Sequence, residues 1–249
     1  MRPRFSTVDD VLLAGRHWLT EPPPLAAVVL VHGFSATAGH PEVSALADTL
    51  HATGLDVVSY DARGHGDSEG HSTLGDLEQH DVAAAVAVAR ARAERVVLVG
   101  ASMGAIAALR YAATDPELAG VVAVSCPSRW RLPRNPHGVL AAGLTRTGLG
   151  RALAARYLRV RVASRWTNPL PPVDLVPRVR SPIALVHGTR DRFIPVGDAH
   201  ELFAQAGPAR RLDVVPGMGH AFEAAALAPI VDAVAWTLAP SPARAQEPA

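Results

Sequence analysis

The sequence predicts an α/β fold in which helices cover both faces of a mostly parallel β-sheet. Short, continuous apolar runs recur along the chain, and such runs are typical of strands buried on both faces. Segments with helical patterns separate these runs, and this alternation favours a parallel sheet with right-handed crossovers. The length of 249 residues and the hydrophobic fraction of 49% are sufficient for one sizeable domain with its own core.

Six apolar runs define the predicted parallel strands. They are residues 26–31, 55–60, 95–99, 121–124, 183–186 and 211–215. Before them, residues 4–19 alternate weakly around the pair Asp9-Asp10, which predicts a hairpin at one edge of the sheet. The predicted helices are residues 41–53, 76–92, 103–114, 195–206 and 221–238. Functional groups are expected at the carboxyl ends of the parallel strands, because these ends share one edge of the sheet.

Residues 127–173 interrupt this alternation. They carry no strand pattern, and their prolines and glycines divide them into short helical pieces such as residues 149–163. We therefore predict an α/β core formed by residues 1–126 and 174–238. A small helical lid at residues 127–173 is inserted after the sixth strand, and residues 239–249 form a disordered tail.

Composition argues against several classes of protein. The net charge is +1 and no recognition motif is present, which disfavours nucleic-acid binding. Cys126 is the only cysteine, so no intrachain disulfide can form, and no Cys/His cluster has the spacing of a zinc site. The apolar runs are too short for a transmembrane segment, and residues 1–10 do not resemble a signal peptide. We therefore expect a cytoplasmic protein without a transmembrane segment.

The segment Gly100-Ala101-Ser102-Met103-Gly104 stands directly after a predicted strand and directly before a predicted helix. So sharp a turn needs small residues around the serine, and it raises the serine hydroxyl above the sheet near a helix N-terminus. The same pattern elsewhere would be an ordinary Gly/Ser turn. The strand–turn–helix context predicts that Ser102 is a catalytic nucleophile.

A serine nucleophile needs a base, and the base needs a group that orients it. His220 lies in a glycine-flanked loop after the last predicted strand, whereas His187 is expected to be buried and His200 falls inside a predicted helix. Asp191 follows the preceding strand, while its rival Asp213 lies within a strand. We therefore predict that His220 is the base and Asp191 the residue that orients it.

Two backbone N–H groups are predicted to bind the oxyanion, those of Met103 and Phe34. Met103 follows the nucleophile, and Phe34 lies in the loop after the strand at residues 26–31. His32 in the same loop is expected to brace it rather than to act in catalysis. The candidates for an apolar substrate pocket are Phe34, Met103, Trp130, Trp166 and Met218, each of which would also suit the core.

Five features in this order resemble the α/β-hydrolase superfamily, and within it the esterase/lysophospholipase-like branch of monoglyceride lipases and serine aminopeptidases. They are His32-Gly33-Phe34, Asp61-Ala62-Arg63-Gly64-His65-Gly66-Asp67-Ser68, the serine motif at residues 100–104, Asp191 and His220. The resemblance implies the α/β-hydrolase fold, a Ser-His-Asp triad and no metal or organic cofactor. It also implies structural roles for Arg63 and His65. Residues 127–173 match no subfamily pattern, so the substrate stays open.

These features predict a serine carboxylester hydrolase that acts on a small-molecule ester or acyl substrate through an acyl-enzyme. Thioesterases, amide or peptide hydrolases, C–C hydrolases, acyltransferases, hydroxynitrile lyases and cofactor-free peroxidase-like proteins use the same triad and remain alternatives. A catalytically silent ligand receptor is a distant one. The sequence does not fix the oligomeric state.

The predicted lid has a strong charge asymmetry, with nine Arg and no Asp or Glu. Its arginines could recognise an anionic substrate or an anionic surface. The interpretation we prefer is a solvated face whose arginines pair with acids on the body. On the helix predicted at residues 149–163, the apolar stripe consists of Leu149, Leu153, Tyr157 and Val160.

Overall fold

The computed structural model describes residues 3–130, 136–165 and 167–240, whose strands form an eight-stranded sheet. The strands are β1 (Arg4–Ser6), β2 (Leu12–Trp18), β3 (Ala26–Val31), β4 (Asp56–Tyr60), β5 (Arg95–Ala101), β6 (Gly120–Val124), β7 (Ile183–Gly188) and β8 (Arg210–Val215). The α-helices are α1 (Pro41–His51), α2 (Glu78–Arg90), α3 (Met103–Ala112), α4 (Pro136–Arg146), α5 (Gly148–Leu153), α6 (Pro172–Leu175), α7 (Val196–Gln205) and α8 (Leu227–Leu238). A π-helical turn (Ala154–Leu158) continues α5, while 3₁₀ turns follow α6 (Val176–Arg178) and precede α8 (Ala224–Ala226).

The strand order across the sheet is β1-β2-β4-β3-β5-β6-β7-β8. The β1–β2 and β2–β4 pairs are antiparallel, and every other pair is parallel. The predicted α/β fold with a mostly parallel sheet is therefore confirmed. The carboxyl ends of β3, β5, β6, β7 and β8 share one edge, and the loops that carry the predicted site residues leave the sheet there.

The N-terminal hairpin is also confirmed. Arg4 of β1 pairs with Ala14 of β2. The Thr7 N–H donates to the Val11 carbonyl over 3.0 Å, and Asp10 takes a φ of 60°. Aspartate tolerates this left-handed conformation better than most residues, which suits it to a tight turn.

Each face of the sheet has its own hydrophobic core. Along β3, Val28 and Leu30 belong to one core and Val29 and Val31 to the other, as alternation along a strand requires. Helices α1 and α8 contribute to the first core, while α2, α3 and α7 contribute to the second. All residues of β3, β4, β6 and β7 are buried, which explains why the sequence shows continuous apolar runs there.

The predicted helix bounds agree with the structure to within two residues for α1, α2, α3 and α7. The helix predicted at residues 221–238 begins later, because residues 221–223 precede the 3₁₀ turn and continue the loop that carries His220. Among the described residues, no helix combines the length and apolarity that a membrane span requires.

The helix predicted at residues 149–163 is wrong in its last part. The helical path ends at Leu158, and Arg159 adopts a φ of 54°. Val160 and Val162 are buried and form isolated β-bridges with His65 and Ser72. The reason is that both valines pack into a small cluster with Ala154 rather than lying on a helix face.

Some positions covered by the sequence-based predictions lie outside the described residues. They are two of the nine arginines of the predicted lid, Arg131 and Arg134, the pocket candidate Trp166, and residues 241–249 of the predicted tail.

Candidate active site

Ser102 occupies a sharp turn between β5 and α3. Its φ of 52° and ψ of −114° lie in a region that non-glycine residues rarely adopt. Its N–H donates to the Val124 carbonyl over 2.9 Å. Its carbonyl accepts from the N–H groups of Ala105 at 3.1 Å and Ile106 at 3.2 Å. Hydrogen bonds on both sides of Ser102 therefore hold a strained backbone in place.

Two glycines make this turn possible. A Cβ atom on Gly100 would lie 2.5 Å from the Gly104 carbonyl oxygen. A Cβ atom on Gly104 would collide with the carbonyl oxygens of Val31 and His32. The first turn of α3 thus packs directly against the end of β3, which explains why small residues flank Ser102 in the sequence.

Asp191 and His220 are in direct contact. The Nδ1–H group of His220 donates to Oδ2 of Asp191 over 2.7 Å. The other carboxylate oxygen, Oδ1, accepts from the N–H groups of Phe193 and Ile194, each at 2.9 Å. The Asp191 side chain is 0% exposed. Because Nδ1 is used by Asp191, Nε2 is the nitrogen of His220 that can accept a proton.

The Asp191 carboxyl is held in its ionised form. Burial raises its pKa, but the hydrogen bond and charge of His220 and the two backbone N–H groups lower the pKa by more, so it lies below its ordinary value. His187 Nε2 lies 3.6 Å from the same carboxylate, but it donates to the Ile194 carbonyl at 3.0 Å. His187 is buried and braces the acid loop, in agreement with its predicted position.

The loops that carry Asp191 and His220 pack backbone against backbone. A Cβ atom on Gly188, at the end of β7, would collide with the carbonyl oxygens of Met218 and Gly219. The Arg190 N–H donates to the same Met218 carbonyl over 2.9 Å. This close approach requires glycine at position 188 and brings the loop of Asp191 against the loop of His220.

The loops that carry His220 and Ser102 are both attached to the end of β6. The N–H of Ala221, the residue after His220, donates to Ser125 Oγ over 3.2 Å. The N–H of Ser102 donates to Val124, the neighbour of Ser125. Ser102 Oγ has no hydrogen-bond partner within the part of the chain that the structure describes. The fold thus brings the loops of all three predicted residues to one edge of the sheet.

The loop after β3 approaches Ser102 and is braced by two histidines. A Cβ atom on Gly33 would lie 3.5 Å from Ser102 Cβ. His32 Nδ1–H donates to the Gly33 carbonyl at 2.8 Å, and His32 Nε2 accepts from the Ala62 N–H at 2.9 Å. Burial lowers the pKa of His32 to about 3, so the ring stays neutral and its lone pair remains available. His32 therefore braces the loop, as the sequence predicts.

Arg63 and His65 also have the structural contacts that the resemblance implies. His65 Nε2–H donates to the Phe34 carbonyl at 2.7 Å. The Arg63 guanidinium binds Asp81 at 2.8 Å and Asp9 at 2.7 Å, and its side chain is buried. These contacts join the loops after β1, β3 and β4 close to the nucleophile.

The predicted pocket residues are placed in different surroundings. Phe34 is partly buried and packs against the cluster of Ala154, Val160 and Val162, where residues 127–173 meet the core. Trp130 is partly buried, and its Nε1–H donates to the Pro169 carbonyl at 2.6 Å.

Met218 and Met103 have little or no exposed surface. Met218 is fully buried in the core beneath α1 and α8, which corrects its assignment to a pocket wall. The reason is that the tight packing of its backbone against Gly188 turns the residue into the core. Met103 is also buried, and its sulfur accepts a hydrogen bond from Ser72 at 3.4 Å. Trp166 lies outside the described residues.

Sequence reasoning missed two aromatic side chains, one that lies beside His220 and a second that lies beside the first. The ring of Phe193 lies 4.9 Å from that of His220, and the ring of His137, on α4, lies 5.4 Å from Phe193. Phe193 keeps 42% of its surface exposed. No local pattern in the sequence marks Phe193, since Ile194 and Pro195 follow it in the same loop.

Two of the described arginines of residues 127–173 pair with acids on the body. Arg129 Nε lies 2.5 Å from Glu201 Oε1, and Arg159 lies 2.8 Å from Asp67. These contacts agree with a solvated, ion-paired face more than with a dedicated anion site. The predicted apolar stripe is not a buried seam, because Leu149 and Tyr157 are each 73% exposed.

Comparisons with known proteins place this chain among hydrolases. Residues 22–169 match the family model described as serine aminopeptidase, S33. A monoacylglycerol lipase of Mycolicibacterium smegmatis is 28% identical over 256 residues, covering 87% of this chain and 88% of that protein. An uncharacterized protein of Mycobacterium tuberculosis is 27% identical over 179 residues, covering 70% of this chain but only 56% of that relative's length.

An esterase of Pyrococcus furiosus has a similar fold. Its solved structure matches with a TM-score of 0.74 at 22% identity, covering 96% of this chain and 90% of that chain. The family match includes Ser102 and spans more than half of the sequence. The chain therefore belongs to the serine aminopeptidase S33 family of the α/β-hydrolase superfamily.

Proposed function

We propose that this chain is a serine hydrolase that cleaves carboxylic esters, with Ser102 as nucleophile, His220 as general base and Asp191 as the group that orients the base. The observation that carries the proposal is the 2.7 Å hydrogen bond between His220 Nδ1 and a buried, ionised Asp191. This bond fixes the tautomer in which Nε2 can take a proton. Ser102 stands in a strained turn at the same edge of the sheet.

The reaction follows from these roles. Ser102 Oγ attacks the carbonyl carbon of the ester while its proton passes to His220 Nε2. The tetrahedral intermediate collapses, and His220 returns the proton to the departing alcohol, which leaves an acyl group on Ser102. A water molecule then attacks the acyl-enzyme, again with His220 as base, and the carboxylic acid is released. Asp191 stabilises the imidazolium that forms in each half of the reaction.

We assign the oxyanion to the N–H groups of Met103 and Phe34. Met103 is the first residue of α3, and the first N–H groups of a helix have no partner within it. The positive end of the helix dipole also favours negative charge at this point. Phe34 follows Gly33, whose close approach to Ser102 brings this loop beside the nucleophile.

Ester substrates are our first choice because similar proteins carry the names esterase and monoacylglycerol lipase. The family description, serine aminopeptidase, favours a second candidate, which is hydrolysis of an amide bond at an amino-terminal residue. Both reactions use the same nucleophile and base, so the leaving group distinguishes them. A small or medium acyl group is the expected substrate class.

The test is hydrolysis of p-nitrophenyl esters of increasing acyl length by the wild type and by Ser102→Ala, with aminoacyl p-nitroanilides in parallel. Turnover of esters that falls to background in Ser102→Ala supports the proposal, and the best acyl length gives the size of the pocket. Turnover of the anilides alone supports the second candidate. If folded wild type is neither active on these compounds nor labelled by a serine-directed fluorophosphonate, the proposed function is wrong.

A further inference from the structure

Three non-glycine residues with a positive φ meet at the candidate active site. They are Ser102 at 52°, Ser125 at 48° and Ala221 at 63°. Residues with a side chain rarely adopt a positive φ, so this backbone conformation persists only where surrounding contacts enforce it. Such residues concentrate at functional sites. Ser102 has an assigned role in the proposed chemistry, whereas Ser125 and Ala221 do not.

Ser125 and Ala221 are hydrogen-bonded to each other. The Ala221 N–H donates to Ser125 Oγ over 3.2 Å. Ser125 itself is 0% exposed, and its N–H donates to the Val186 carbonyl at 3.0 Å, which fixes it at the end of β6. The backbone of Ser125 is therefore held by the sheet. Its hydroxyl in turn holds the peptide group that joins His220 to Ala221.

The identity of residue 125 points to its hydroxyl. Glycine would adopt a φ of 48° without steric conflict, so a turn with no other task would favour glycine. Serine accepts the strain and contributes one buried oxygen to the base loop. The same loop has no regular secondary structure between Gly217 and Glu223, so its position depends on contacts of this kind.

We propose that Ser125 is a positioning residue for His220, and that its hydroxyl fixes the backbone of the base loop so that the imidazole stays aligned with Ser102. The inference rests on the proposed role of His220 as general base. Asp191 fixes the ring through Nδ1, and Ser125 fixes the main chain from the opposite end of the residue. Two restraints leave the ring fewer unproductive orientations than one, which matters because small misplacements of a base reduce the rate strongly.

The test compares Ser125→Ala with Ser125→Gly. Both variants remove the hydroxyl, but the glycine variant also relieves the strained backbone. We expect kcat to fall by about tenfold or more in both, with KM within about twofold of the wild type, because the hydroxyl acts through His220 rather than on the substrate. If the alanine variant does not fold, the glycine variant carries the test.

Ser128→Ala is the matched control. Ser128 is a buried serine three residues further along, and its hydroxyl donates to Glu201 Oε2 at 2.7 Å, away from the base loop. We expect its kcat to stay within about twofold of the wild type. An equal loss of kcat in the Ser125 and Ser128 variants would show a general effect on folding and would overturn the proposal.

A spectroscopic measurement separates this inference from the proposed function. The proton NMR resonance of His220 Nδ1–H, assigned by its loss in His220→Ala, reports the Asp191 contact without any substrate. Broadening or loss of this resonance in both Ser125 variants, but not in Ser128→Ala, supports the positioning role even if no ester is hydrolysed. An unchanged resonance together with an unchanged kcat or labelling rate would show that Ser125 does not position the base.

Discussion

Phe193 lies against the His220 ring, with the two ring centroids 4.9 Å apart and the ring planes tilted by 46°. The Phe193 N–H also donates to Asp191, so one residue contacts both the acid and the base. Its backbone supports the carboxylate, while its ring limits how far the imidazole can rotate. A ring pair of this kind is worth about 0.5–1.5 kcal/mol.

We expect Phe193→Ala to lower kcat by about two- to tenfold, which is the loss of one aromatic pair expressed as a rate. Phe193→Tyr keeps the ring and should keep the rate. Steady-state kinetics on the best ester gives both values. If alanine and tyrosine have the same kcat as phenylalanine, the ring does not restrain the base.

Asp191→Asn should keep the fold but lose most of the activity. Asparagine can still accept hydrogen bonds from the N–H groups of Phe193 and Ile194, but its amide no longer stabilises the protonated base. A loss of about 10³–10⁴-fold in kcat is expected, because the favoured imidazole tautomer is then the wrong one. Asp213→Asn is the control, since Asp213 pairs with Arg211 on β8. Equal activity of Asp191→Asn and wild type would remove Asp191 from the triad.

The same pair of proteins tests the low pKa of Asp191. Burial raises this pKa, but the contacts to His220 and to two backbone N–H groups lower it by more. A carboxyl whose pKa is lower in the folded state stabilises the fold above its unfolded pKa of about 4 and loses that contribution as the pH falls through the folded value. The Tm difference between wild type and Asp191→Asn should therefore be largest near neutral pH and shrink below about pH 4. A difference that grows on acidification would contradict the lowered pKa.

Gly104→Ala should destabilise the protein and abolish activity. The new Cβ atom would collide with two backbone carbonyl oxygens at the end of β3, where nothing flexible can move aside. A loss of about 2–3 kcal/mol in the free energy of unfolding is expected. Gly143→Ala is the matched control, because a Cβ atom there meets no atom within 4 Å. Because Gly143 lies within helix α4, this change should raise the free energy of unfolding by about 0.5–1 kcal/mol. Thermal melts of the two variants should move in opposite directions.

The sequence was informative where one local rule decides the outcome. Continuous apolar runs predicted β3 through β7 because nearly every residue of those strands is buried, and the glycines around Ser102 predicted the turn because only small residues fit there. Ser125 and Phe193 gave no such signal. Their roles depend on which loops meet at the end of β6, and this is set by the order of strands across the sheet.

Residues 159–162 show the same limit. Val160 fits the predicted apolar helix face, yet the left-handed Arg159 ends the helix before Val160 and Val162. Both valines then pair with loop residues that lie far away along the chain. Local periodicity cannot distinguish a helix that continues from a strand-like segment that finds a distant partner.

The loops that carry Ser102 and His220 are hydrogen-bonded to Val124 and Ser125 at the end of β6. Their attachment is therefore independent of the segment that follows, residues 127–173. Residues 127–173 leave the sheet only after these two positions, so a change in their length or composition would leave the hydrogen bonds of Ser102 and Ala221 to the end of β6 in place. We therefore expect that grafting residues 127–173 from another member of the family would change the substrate preference and keep the proposed reaction.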